Sequence, residues 1–145
     1  KNVFKRFHVP LISGGDKIIS KVVSKTSFDL PHVNPSVFGH EYKYVYATGD
    51  EGEGVWWNTL VKVNVETGET LTWYEKDHFP TEPNFIPRPG ATEEDDGVLV
   101  SAVLGGDIGT SYLLFLDAKT MKPLARAKAP HFLPYMSHGF AEQDP

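Results

Sequence analysis

Five carboxylates stand in the stretch TEPNFIPRPGATEEDDGVLVS, from Thr81 to Ser101: Glu82 alone, then Glu93, Glu94, Asp95 and Asp96 in a row. Acids at such density can hold a hard cation, exchange a proton with a substrate, or simply bond to the backbone of a turn. The run 93–96 is contiguous and stops at Gly97, whereas a calcium loop spaces its oxygen ligands alternately over about twelve residues. Neighbouring side chains on a turn point in different directions. The run is therefore read as a solvated turn before a strand, largely exposed and with no convergence of its carboxylates. Glu82 is placed differently, between Thr81 and Pro83, in a segment whose prolines fix the backbone and bar a central-strand role. With Phe79, Phe85 and Ile86 nearby, it is either an exposed loop side chain or a partly buried carboxylate that needs a donor.

Six histidines could supply imidazole: His8, His32, His40, His78, His131 and His138. None forms an H-x-x-x-H pair or another close metal spacing. His138, in PYMSHGF, precedes Gly139, which lets backbone or ligand approach closely. On residues alone it is a structural or exposed histidine, or a ligand whose partners lie far away in sequence. No serine lies in a G-x-S-x-G elbow, and GGDIGT reads as a hairpin tip rather than a phosphate cradle. Trp56-Trp57 reads as core or rim packing rather than a ligand platform. With 0 Cys, thiolate ligands, cysteine nucleophiles and disulfides are excluded.

The elements that must position these groups are strands. YKYVYATG places Tyr42, Tyr44 and Tyr46 on one face, and LVKVNV alternates Val61, Val63 and Val65 before a turn at Gly68 and a return through TLTWYE. GVLVSAVL and SYLLFLDA flank the loop Gly105–Thr110, and LARAKA follows KTMKP. NVFKRFHV and KIISKVVS flank a turn signal at Gly14-Gly15. Short strands with frequent turns and no trustworthy helix predict an all-β sandwich, barrel or propeller. The shared rhythm of LVKVNVETGETLTW and LLFLDAKTMKPLAR hints at successive propeller blades.

The chain has 145 residues, 40% hydrophobic and 23% charged, with net charge -5 and no basic block, so nucleic-acid binding has no electrostatic footprint. No apolar run approaches the roughly 20 residues needed to span a bilayer. The opening KNVFKRFHVPLISGG has no continuous apolar core and no small-residue cleavage site. It reads as a strand entered in mid-course, and the chain is expected to be a piece of a longer protein.

FPTEPNFIPRPGATEEDDGVLVSAV, SYLLFLDAKTMKPLARAKAP and PYMSHGF, in this order, closely resemble the C-terminal end of the carotenoid cleavage oxygenase family; FDLPHVN and YKYVYATG match as well. The likeness is strongest to its animal branch of β-carotene dioxygenases and the retinoid isomerohydrolase. The resemblance implies that residues 1–145 are the C-terminal blades of a single seven-bladed β-propeller domain. In that family a non-haem Fe(II) is held by four histidines, and carboxylates orient three of them. By this resemblance His138 is the last iron ligand and Glu82 the carboxylate that holds it. Asp29, in FDLP, falls where the family has a Glu serving an upstream histidine, and Ser137 stands where it often carries a bulky aromatic. The implied function is Fe(II)-dependent cleavage of a carotenoid double bond with O2 to give apocarotenoid or retinal products. The other three ligands would lie outside the chain, which alone would be inactive. Alternatives are a retinyl-ester isomerohydrolase of the same fold and a metal-free carotenoid-binding propeller. A cytoplasmic protein with a carotenoid or retinoid substrate is expected, with any peripheral membrane contact made by parts outside this chain.

Overall fold

A computed structural model of the chain describes residues 2–11, 17–52, 56–106 and 109–140. Every regular element among them is a strand, apart from one 3-10 turn at Pro35–Val37 that the Asn34 side chain caps through the Ser36 N–H. The Gly14-Gly15 turn lies outside the described residues.

β1 (Val3–His8) and β2 (Ile19–Ser27) form an antiparallel pair. β3 (Asp29–His32), β4 (Tyr44–Gly49), β5 (Thr59–Asn64) and β6 (Thr70–Tyr74) form a four-stranded antiparallel sheet in chain order. In the third sheet β9 (Gly97–Gly105), β10 (Thr110–Asp117) and β11 (Pro123–Lys128) follow one another, and two short strands share the free edge of β9. β7 (His78–Pro80) pairs with its far end and β8 (Asn84–Pro87) with its near end. Taken as one interrupted strand, β7 and β8 give this sheet the same four-stranded meander as its neighbour. The hairpins that share a rhythm in sequence, β5–β6 and β10–β11, occupy the same place in their sheets. Repetition of four-stranded antiparallel blades is propeller architecture.

Alternation explains how the layers stack. Along β4, Tyr44 and Tyr46 face the third sheet, while Val45 and Ala47 face the β1–β2 pair. The core between the two blades is built from Tyr46, Leu60 and Trp73 on one side and Phe85, Leu99, Val103, Leu114 and Leu116 on the other. A second core joins Val45, Ala47, Val61 and Val63 to Phe28, with Phe4 and Val23 packed against it. Because β4 and β5 are covered on both faces, they read in sequence as nearly continuous apolar runs. Tyr42 corrects the expectation of one tyrosine face, since it packs with the second core rather than with Tyr44 and Tyr46. The ladder begins only at Tyr44, and before it the Lys43 and Tyr44 N–H groups both donate to the Glu94 carboxylate. Gly68 turns the β5–β6 hairpin at φ 78°, a conformation that costs glycine little.

Candidate functional site

The first strand of each blade is broken by one surplus residue. Between the pairs Pro80↔Val103 and Asn84↔Val100, four steps along β7–β8 face three along β9. The extra residue falls in Thr81-Glu82-Pro83, where Thr81 still donates its N–H to the Ala102 carbonyl at 2.8 Å. Pro83 has no N–H to give. On β3, likewise, three steps from Asp29 to His32 face two from Thr48 to Tyr46. Leu30 lies inside that irregularity at φ 48°, a strained value for a residue with a Cβ. Such bulges re-aim side chains out of a ladder. These two deliver His32 and Glu82 to one point.

Glu82 is only 7% exposed and both its oxygens are engaged. Oε1 accepts a hydrogen bond from His32 Nε2–H. Oε2 accepts from His138 Nδ1–H at 3.1 Å and from the Gly139 N–H at 3.0 Å. Burial works against the charge of this carboxyl, but the bonds from His32, Gly139 and His138 outweigh it and hold its pKa below the usual value of 4.5. An ionised carboxylate only accepts, so each bonded ring nitrogen carries the proton. In the neutral ring this leaves the His138 lone pair on Nε2, and the side chain is 74% exposed. Gly139 approaches so closely that a Cβ there would sit 2.9 Å from Asn84 Nδ2.

Of the residues singled out in sequence, Glu82 and His138 are brought together across 56 positions. Asp29 is not part of this contact. Its oxygens accept from the Asn2 side-chain amide at 3.1 Å and from the Leu30 N–H at 2.9 Å. In sequence His32 is one histidine among six, marked only by its place in FDLPHVN. His8, His40 and His131 are exposed, and buried His78 donates its Nδ1–H to the Lys76 carbonyl at 2.8 Å. Among the described residues no group of three or more His, Cys, Asp or Glu could hold a metal ion by itself. The donor set fits one corner of a metal site: a single imidazole, fixed in the tautomer that ligates through Nε2, with a carboxylate behind it.

The expectation for 93–96 needs correction. The run is a turn before β9 and its carboxylates diverge, as expected, but it is not largely exposed, because only Glu93 of the four lies open to solvent. Asp95 is 6% exposed and accepts from Lys62 Nζ at 2.7 Å. Lys62 also donates to the Lys119 carbonyl at 3.1 Å and lies 4.1 Å from the centre of the Tyr44 ring. Glu94 receives the Lys43 and Tyr44 N–H groups, and its carbonyl receives the Asn34 amide at 2.8 Å. Asp96 pairs with Arg88 and Glu93 with Lys119. Asp95 and Glu94 stitch one blade to the other. Trp56 and Trp57 meet Tyr135 at 5.1 and 6.2 Å between ring centres, which is packing along the edge, as expected of them.

Blades of this topology, carrying a buried carboxylate that grips an imidazole, define a propeller-type protein whose site is built at the blade edges. A model of the retinal pigment epithelial membrane protein family matches residues 1–140, and the chain belongs to that family. It is 47% identical over 110 residues to the carotenoid cleavage dioxygenase 8 homolog B, chloroplastic, of Oryza sativa subsp. japonica, covering 76% of this chain and 19% of that protein. It is 36% identical over 144 residues to the carotenoid isomerooxygenase of Galleria mellonella, covering 94% of this chain and 28% of that protein. Among solved structures, cobalt-substituted apocarotenoid oxygenase from Synechocystis superposes with TM-score 0.81 at 29% identity, over 86% of this chain and 27% of that one. The chain thus spans 19% to 28% of the length of these two relatives.

Proposed function

We propose that the whole protein is a carotenoid dioxygenase that cleaves a polyene double bond with O2 to give apocarotenoid or retinal products, and that this chain supplies one of its four imidazole ligands to Fe(II). The observation behind this reading is the bond from His138 Nδ1–H to buried Glu82, within a chain of this family. The names of the relatives, carotenoid dioxygenase and isomerooxygenase, support the substrate class. That a relative has been obtained in cobalt-substituted form supports a metal centre. Imidazole suits iron, and a site that keeps positions open lets the metal bind and activate O2.

The chain's own contribution is electrostatic and geometric. Glu82 accepts a hydrogen bond from His138 Nδ1–H, fixing the tautomer and the ring plane. Its negative charge makes Nε2 a stronger donor to a metal, and partners of this kind typically change affinity or activity by about 10–100-fold. The Gly139 N–H holds the same oxygen, so carboxylate and ligand stay in register. Asp29 would do the same service for a second histidine outside the chain. A cytoplasmic location, with any membrane contact made outside this chain, completes the reading. No helix among the described residues is long and apolar enough to cross a membrane.

Metal content and polyene cleavage of the whole protein test the assignment. His138→Ala should lower metal affinity by more than ~100-fold, beyond the loss of an orienting partner alone, and should abolish apocarotenoid formation. A His138→Ala protein that folds, retains iron and cleaves at the normal rate would overturn it.

A further inference from the structure

We infer that His32 is a positioning residue for the metal ligand: it fixes the Glu82 carboxylate from the neighbouring blade and so sets the orientation of His138. This rests on the reading of His138 as a ligand. Glu82 is buried, and among the described residues His32 is the one partner of its Oε1, while Oε2 serves both His138 and Gly139. A buried carboxylate oxygen without a donor is expensive. If the His32 N–H were removed, the carboxylate would turn to share Oε2's two donors or to reach water, and the bond to His138 would lengthen.

His138 and Gly139 follow the last strand of the third sheet, and Glu82 belongs to that sheet's first strand. His32 alone enters the cluster from β3, in the other blade. Glu82 therefore clamps two imidazoles that arrive from opposite sides of a blade seam, and the His32 bond ties the carboxylate that holds the ligand to the other blade. The β3 bulge with Leu30 at φ 48° is what places His32 there. A histidine serving only to fill space would not need its Nε2 aimed at the one buried carboxylate that holds the ligand.

The test compares His32→Phe, which keeps a ring and loses the donor, with His32→Gln, whose amide N–H can still reach Oε1. Both are made in the whole protein. Metal affinity is read by chelator competition, geometry by the visible spectrum of the cobalt(II) form, and turnover as kcat against KM. His32→Phe should weaken metal binding about 10-fold, the lower end expected for an orienting partner. It should also shift the cobalt bands and lower kcat with KM unchanged. His32→Gln should stay within about threefold of wild type, since one hydrogen bond to the carboxylate is kept. If His32→Phe does not fold, His32→Asn replaces it, its amide too short to reach Oε1, with the same expectation. Unchanged affinity and cobalt spectrum in His32→Phe, or equal losses in His32→Phe and His32→Gln, would overturn the inference. His138→Ala in the same assays separates the two levels. Metal retained in His138→Ala removes the ligand reading and this inference together. Metal lost there but kept in His32→Phe removes the inference alone.

Discussion

Glu82 and the run 93–96 are both acidic and lie within a dozen or so residues of each other, yet they are used in opposite ways. At Glu82 one carboxylate gathers three donors from two blades. At 93–96 four carboxylates disperse to separate partners: Lys119, the Lys43 and Tyr44 backbone, Lys62, and Arg88. Convergence makes a place where a ligand can be held, and divergence makes a fastening. Acid density in sequence therefore points away from the site, and the isolated acid inside a bulge points toward it.

The sharpest way to break this comparison is Asp95→Ala, which leaves Lys62 buried without its counter-ion. It should destabilise the fold by ~3–5 kcal/mol, the cost of stranding a buried charge, as read by denaturant unfolding. Exchanging both partners for apolar residues of similar volume, Lys62→Met with Asp95→Leu, should recover most of that loss. Glu82→Gln should do the reverse and spare the fold more than the function. It keeps the shape and an accepting oxygen but loses the charge, so metal affinity in the whole protein should fall about 10-fold. If Asp95→Ala cost metal and Glu82→Gln cost only stability, the roles drawn above would be exchanged.

Acid gives a smaller effect. A carboxyl whose folded pKa lies below its unfolded value contributes stability that is complete above the unfolded pKa and is lost as pH falls through the folded one. For Glu82 that loss begins as pH drops below about 4.5, with Glu75 and Asp117 contributing in the same direction. Unfolding measured from pH 7 to pH 3 should show a shallower acid limb in Glu82→Gln than in wild type, and an identical slope would remove Glu82 from the account. Smallest of all should be Asp96→Asn. Its partner Arg88 is well exposed, so the unfolding midpoint should not move.

What could be read in the sequence follows the range of the interactions. The strands, the hairpin at Gly68 and the likeness of successive blades are local patterns of alternation and turn chemistry, and they were legible. The pairing of Glu82 with His138 spans 56 positions and came from the family resemblance, because spacing alone offers no reason to join them. His32 reaches Glu82 across 50 positions, and a bulge decides where it points, so it looked like any other histidine. Lys62 did leave a signal. In LVKVNV it alternates with Val61 and Val63 on a strand buried on both faces, which demands a buried counter-charge. The 93–96 run looks solvated from its neighbours in sequence, whereas the partners that bury Asp95 and engage Glu94 come from the adjoining blade.

The surplus residue between Pro80 and Asn84 also fixes the phase of everything after it. Residues paired across a ladder share a face, so Pro80 lies on the side of Val103 and Phe85 on the side of Leu99. Val103 and Leu99 are four apart on β9 and both face the core between the blades. Pro80 and Phe85, however, are five apart, an odd interval that an unbroken strand would send to opposite faces. The bulge that turns out the carboxylate is thus the same irregularity that lets Phe85 stack on Tyr46, at 5.5 Å between ring centres. Deleting one residue from Thr81-Glu82-Pro83 would leave Pro80 and Phe85 four apart, matching Val103 and Leu99, so the ring would keep its face while the carboxylate lost the bulge that turns it out. The length of this stretch therefore serves the site, since the core alternation would be met equally by a chain one residue shorter with no bulge. A single-residue deletion there would damage the site while leaving the core side of Phe85 unchanged.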